Sequence, residues 1–87
     1  VSWRQVIETM LLEIITPEKK VFEGEVNSVL FPGTNGRFEI LNNHAHIIST
    51  LKKGQVRVID NNNKTELFNI NGGVIEMQNN KIIVLAD

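Results

Sequence analysis

No cysteine occurs in the 87 residues, which excludes disulfides and cysteine-ligated zinc and fits a reducing compartment. Tyrosine is also missing, and one Trp and four Phe are too few to build stacking platforms for bases or sugars. Charge of one sign is lacking as well. Nine basic residues are scattered among ten acidic ones, for a net charge of -1. No basic stripe exists to neutralise a row of phosphates, so no nucleic acid is expected as a partner. Long apolar runs are absent: Ile82–Ala86 falls far short of the ~20 residues a membrane helix needs. Trp3, Arg4, Gln5 and Glu8 interrupt any apolar stretch at the start, so no secretory signal is read there.

What remains is an ordinary globular composition, 41% hydrophobic and 22% charged, in a chain long enough for one domain. Turn signals recur at short intervals: Pro32-Gly33, Asn35-Gly36, Asn42-Asn43, Lys53-Gly54, Asn61-Asn62-Asn63, Gly72-Gly73 and Asn79-Asn80. Gly and Asn tolerate the positive φ that tight reversals demand. Between the turns lie runs rich in β-branched residues: Leu11–Thr16, Glu25–Phe31, Arg37–Leu41, Ile47–Leu51, Gln55–Asp60, Thr65–Asn71, Val74–Gln78 and Lys81–Ala86. Gln55-Val56-Arg57-Val58 alternates as a half-buried strand does, whereas Ile82-Ile83-Val84-Leu85 is apolar on both faces and reads as a strand covered from both sides. Many short strands with evenly spaced turns predict an all-β sandwich or barrel. Asn79-Asn80 is expected to close a two-residue hairpin, Asn61–Lys64 a longer one, and Pro32–Gly36 a wide hairpin turn. Gly24 is expected at a bulge or tight bend between two β runs, Gly36 and Gly54 at left-handed turn positions, and Gly72-Gly73 at a close backbone approach.

The first nine residues read two ways, because Val6, Ile7, Met10, Leu11 and Ile14 recur at helical spacing while Leu12–Thr16 also reads as strand. Met10 is taken as the natural start, with residues 1–9 an upstream extension or leader and 10–87 the domain.

Catalytic chemistry finds little support. His44-Ala45-His46 would place two imidazoles on one face of a strand, as in cupins, but no further His and no downstream Glu complete a ligand set. Neither a metal nor any other cofactor is expected. Ser2, Ser28 and Ser49 lack a nucleophile elbow. Pro32–Gly36 lacks the Gly-Lys-Ser/Thr ending of a phosphate loop. Glu13, Glu25, Glu39 and Glu66 sit at alternating strand positions and read as solvated. A sugar- or peptide-binding β module is the competing reading, weakened by the missing aromatics.

Ordered blocks decide between these readings: Phe22-Glu23-Gly24-Glu25-Val26, then Pro32–Ile40, Asn43-His44-Ala45, Leu51–Arg57, Gly72–Glu76 and Val84–Asp87. From Met10 to Asp87 they resemble the N-terminal domain of the epsilon subunit of bacterial F-type ATP synthases. The resemblance implies a flattened β-sandwich of about ten short strands, non-catalytic and turning with the rotor. It implies the gamma subunit and the c-subunit ring as partners, peripheral placement at the cytoplasmic face of the bacterial inner membrane, and no transmembrane segment. On the ring side it implies Thr34, Asn35 and Arg37, with Asn42 and Asn43 near the same end. On the gamma side it implies His44, His46, Ser49, Leu85 and Asp87.

Two departures stand out. Gly36-Arg37-Phe38-Glu39-Ile40 places a cation where relatives often carry an acid facing the ring, and Asn42-Asn43 replaces a more usual Pro-Gly. Relatives usually continue past the Leu-Ala-Asp segment into a helical hairpin that inhibits hydrolysis. If Asp87 is the natural end, a coupling role without that arm is expected; if the chain continues beyond it, the arm and its nucleotide site are expected as well.

Overall fold

Asparagines carry the reversals. The computed structural model describes residues 9–87, and within it Asn43, Asn63, Asn79 and Asn80 adopt φ between 54° and 65°. Asn79 and Asn80 alone separate the paired residues Gln78 and Lys81, the two-residue turn that the sequence predicts. At Asn61–Lys64 the Asp60 side chain holds the loop, its Oδ1 accepting from the Asn62 and Lys64 amides at 2.8 and 2.9 Å. Thr34-Asn35 is likewise a two-residue turn, with Gly33 paired to Gly36, and so tighter than the wide turn expected. Gly36 sits at φ 129°, a conformation that side chains disfavour.

These turns join six strands: β1 Met10–Ile15, β2 Lys20–Gly33, β3 Gly36–Leu41, β4 Ile47–Asp60, β5 Thr65–Gln78 and β6 Lys81–Ala86. No helix occurs among the described residues. The sheet runs β1-β6-β5-β4-β2-β3, and an additional β1–β2 pairing closes five of the strands into a barrel-like ring. All pairings are antiparallel except β1 with β6. The all-β, sandwich-type expectation holds; the count of about ten strands does not.

The physical reason lies in three 14-residue strands. Ile47–Leu51 and Gln55–Asp60 are one strand, β4, and Thr65–Asn71 with Val74–Gln78 is another, β5. Lys53-Gly54 and Gly72-Gly73 are not turns. In β4 the buried positions step from Leu51 to Val56 and Val58, and in β5 from Ile70 to Ile75 and Met77. The alternation changes parity in mid-strand, which in sequence is indistinguishable from a strand ending. The long strands also change partners midway. The first half of β2 pairs with β1 and its second half with β3 and β4, across an irregularity between Val26 and Ser28.

Glycines permit this geometry at two crossings. A Cβ on Gly73 (φ 150°) would run into the Leu85 carbonyl, the close approach expected there. Gly54 has ordinary φ, but a Cβ there would lie 2.9 Å from Pro32 Cβ, so it marks an approach and not a left-handed turn. Gly24 pairs in register with Leu12 and marks no bulge.

One hydrophobic cluster fills the interior, centred on Leu12, Val29, Phe31, Val56, Ile75 and Val84, all fully buried. Phe22 from β2 meets Phe68 from β5 edge-on at 5.4 Å, closing one end. Phe31 and Phe38 stack at 5.5 Å. Outside, Glu13 receives Lys20 and Lys81 at 3.4 and 3.5 Å, tying β1 to both neighbours. Arg57 reaches Glu39 at 3.2 Å across Leu30, spanning β4, β2 and β3. Neither carboxylate is simply solvated, as the alternation alone suggested. The leader assigned to residues 1–9 falls almost wholly outside the described residues.

Candidate partner interface

Strand alternation forces part of β4, β5 and β6 to turn apolar side chains outward. Ile75, Met77, Ile82 and Val84 point into the core, so Val74, Ile83 and Leu85 must face the other way. Register then aligns them into two adjacent rows: Thr50–Val74–Leu85 and Ile48–Glu76–Ile83. Ile48 is 63% exposed, Leu85 55% and Val74 43%, and Ile83 and Glu76 complete a shallow groove between them. His46 Nε2 lies 3.1 Å from Glu76 Oε2 and borders the strip. The outer face of β6, read from sequence as covered, has no strand or loop packed over it among the described residues, with Leu85 exposed and Ile83 half-buried. Contiguous exposed apolar side chains with a polar rim are the surface signature of a protein contact.

Of the five residues expected on the gamma side, His46 and Leu85 fall on this strip. Ser49 points to the inner side with Ile47 and Leu51, and its Oγ donates to the Thr50 carbonyl. His44 lies before β4 begins, with Nδ1 2.8 Å from the Ala45 carbonyl oxygen. The two imidazoles are therefore not on a strand and engage different partners. No group of three or more metal-ligating side chains occurs among the described residues. Asp87 follows β6, its amide donating to the Gly72 carbonyl at 3.0 Å. Ile48, Val74 and Ile83 were missed, because each reads as an ordinary core residue until the register shows which face it occupies.

The residues expected on the ring side separate into two places. Thr34 and Asn35 form the turn before β3, where Thr34 donates its amide to the Thr50 carbonyl at 3.1 Å and pairs hydroxyls with Thr50 at 2.7 Å. Arg37 stands opposite Pro32 beside this turn. Asn42 and Asn43 follow β3, so a six-residue strand, roughly 17 Å long, separates them from it. They are not at the same end. Asn43 instead docks on the β5–β6 turn, its amide donating to Asn80 Oδ1 at 2.8 Å while Asn80 Nδ2 donates back at 3.1 Å.

A family model described as ATP synthase, Delta/Epsilon chain, beta-sandwich domain matches residues 9–87. The chain belongs to this family. Among its relatives, the ATP synthase epsilon chain of Chlorobaculum tepidum is 43% identical over 76 residues, covering 87% of this chain and 86% of its own. The epsilon chain of Campylobacter curvus is 40% identical over 81 residues, covering 93% of this chain and 63% of its own. The fold matches a chain in the Euglena gracilis mitochondrial ATP synthase OSCP/F1/c-ring structure. There the TM-score is 0.86 at 14% identity, over 95% of this chain and 53% of that one. No helix among the described residues is long and apolar enough to cross a membrane.

Proposed function

We infer that the chain serves as the β-sandwich domain of an ATP synthase epsilon chain, a non-catalytic part of the central stalk linking the gamma subunit to the c-subunit ring. In this reading it couples proton flow to ATP synthesis by transmitting torque. It sits peripherally at the cytoplasmic face of the bacterial inner membrane, carried there by its complex. The closed sheet acts as a sandwich flattened on one line of core side chains. A close-packed interior resists compression and so passes strain between partners.

The apolar strip of Ile48, Val74, Ile83 and Leu85 carries the reading, because contiguous exposed apolar side chains with a polar rim mark a protein contact. Gamma is assigned to this strip, with Leu85 on it, His46 at its border and His44 and Asp87 beside it; Ser49, turned to the inner side, drops out of the contact. The Thr34-Asn35 turn with Arg37 is assigned to the ring, and Asn42-Asn43 to a supporting position that stiffens the opposite end of β3. The experiment is size-exclusion chromatography of the chain with its cognate gamma subunit. A one-to-one complex is expected at micromolar concentration, lost when Ile48→Glu and Leu85→Glu are combined. Separate elution of the unaltered chain would remove the assignment to gamma.

A further inference from the structure

Pro32 breaks the pairing of β2 with β4. Having no N–H, it cannot donate to the ladder, and the register slips between Leu30, opposite Arg57, and Gly33, opposite Leu51. Only Phe31 and Pro32 stand on β2 where five residues, 52–56, stand on β4. Lys52 and Lys53 fall in this mismatched stretch of β4 as consecutive exposed residues, Lys52 still paired with Gly72 of β5. Arg37 arrives from β3 on the far side of Pro32. A groove results, lined by Pro32, Arg37, Lys52, Lys53, Gly54 and Gln55, with three cations and no carboxylate.

None of these cations forms an ion pair within 4.0 Å among the described residues. The nearby carboxylates are engaged or turned elsewhere. Glu39, two positions from Arg37, is held by Arg57 at 3.2 Å. Asp87 stands over Gly72, the residue opposite Lys52, without reaching the ammonium. In a chain whose net charge is -1, three unneutralised cations in one groove are a local departure from the surface average. Lys52 also continues the outward row of Ile48 and Thr50, so the groove joins the end of the apolar strip.

We propose that Arg37, Lys52 and Lys53 form a seat for carboxylate side chains on the c-subunit ring, so that the cognate ring presents Asp or Glu at its contact loops. The proposal rests on the assignment of the Thr34-Asn35 end to the ring and adds the chemistry of that contact. A lipid headgroup fits less well. Anionic membrane surfaces are recognised by clusters of four to eight cations, and this groove offers three. Rim charges of this kind set association rate and salt dependence.

The test compares the unaltered chain with the triple variant R37E/K52E/K53E, using immobilised detergent-solubilised c ring, immobilised gamma, and vesicles of neutral or 30% anionic lipid. All three side chains are exposed, and thermal melts verify folding; the single variant K52E, the least intrusive, gives the same reading if the triple fails to fold. At low salt the triple variant is expected to bind the ring at least tenfold more weakly, with gamma binding unchanged and neither protein retained by vesicles. For the unaltered chain, raising salt to 0.3 M should remove most of the difference. Equal ring binding by both proteins overturns the proposal. Anionic-vesicle binding that the variant loses, with ring binding kept, overturns it in favour of lipid. Failure of the unaltered chain to bind gamma refutes the rotor assignment itself, a separate outcome.

Discussion

Replacing Gly73 by alanine probes the crossing on which the closed sheet depends. Gly73 pairs with Leu51 on β4 and Ala86 on β6, at φ 150°. A methyl group there meets the Leu85 carbonyl and lies 2.9 Å from Ala86 Cα, both backbone atoms that cannot swing aside. Holding a non-glycine residue at such a φ costs about 1–3 kcal/mol. Forcing the strands apart costs about 1–3 kcal/mol more, as overpacking does. Gly36 supplies the internal control. Its φ is 129°, but nothing lies within 4 Å of the added methyl, so Gly36→Ala carries the conformational cost alone. Each kcal/mol lowers the melting temperature of a domain this size by about 4–8 °C. Far-UV circular dichroism melts should therefore place Gly73→Ala at least ~4 °C below Gly36→Ala, with both below the unaltered protein. Equal melting temperatures, or the reverse order, would show that β5 and β6 do not press together at this point.

Other outcomes follow from the turns and the ion pairs. Asn80 combines φ 58° with two hydrogen bonds to Asn43, so Asn80→Ala should destabilise by about 1–3 kcal/mol and Asn80→Gly by less, measured by urea unfolding. A glycine variant worse than the alanine one would assign the whole effect to the Asn43 contact. Burial lowers the Lys20 pKa, but the Glu13 and Glu23 carboxylates outweigh it and hold the ammonium above its ordinary 10.5. A raised folded-state value means that the stabilisation is complete below the unfolded pKa and fades as pH climbs through the folded one. The melting gap between the unaltered protein and Lys20→Met should hold at pH 7 to 9 and close beyond 10.5, and a gap that widens there contradicts the pairing.

Much of this fold was legible in the residues. The asparagine turns at 61–64 and 79–80 and the close approach at Gly72-Gly73 follow from local chemistry, and the structure places them where the sequence does. Strand count was not legible, because Lys52-Lys53-Gly54 and Asn71-Gly72-Gly73 interrupt alternation without ending a strand. Only the partner strand's register distinguishes a change of parity from a turn. The same blindness affected the candidate interface. Periodicity can say that Val74 and Ile75 face opposite ways, but the bare outer face of β4, β5 and β6 depends on what the rest of the chain covers. Ser49 fell on the inner side for that reason, and Asn42-Asn43 parted from Thr34-Asn35 because β3 stands between them.

Hydroxyl-radical footprinting of the chain, free and bound to its cognate gamma subunit, tests the central assignment most directly. Oxidation of Ile48, Val74 and Leu85 should fall sharply in the complex, while Leu41 and Leu67, exposed elsewhere at 53% and 56%, should react as in the free chain. Protection of Leu41 or Leu67, with the three strip residues unchanged, would place gamma on another surface and contradict the account.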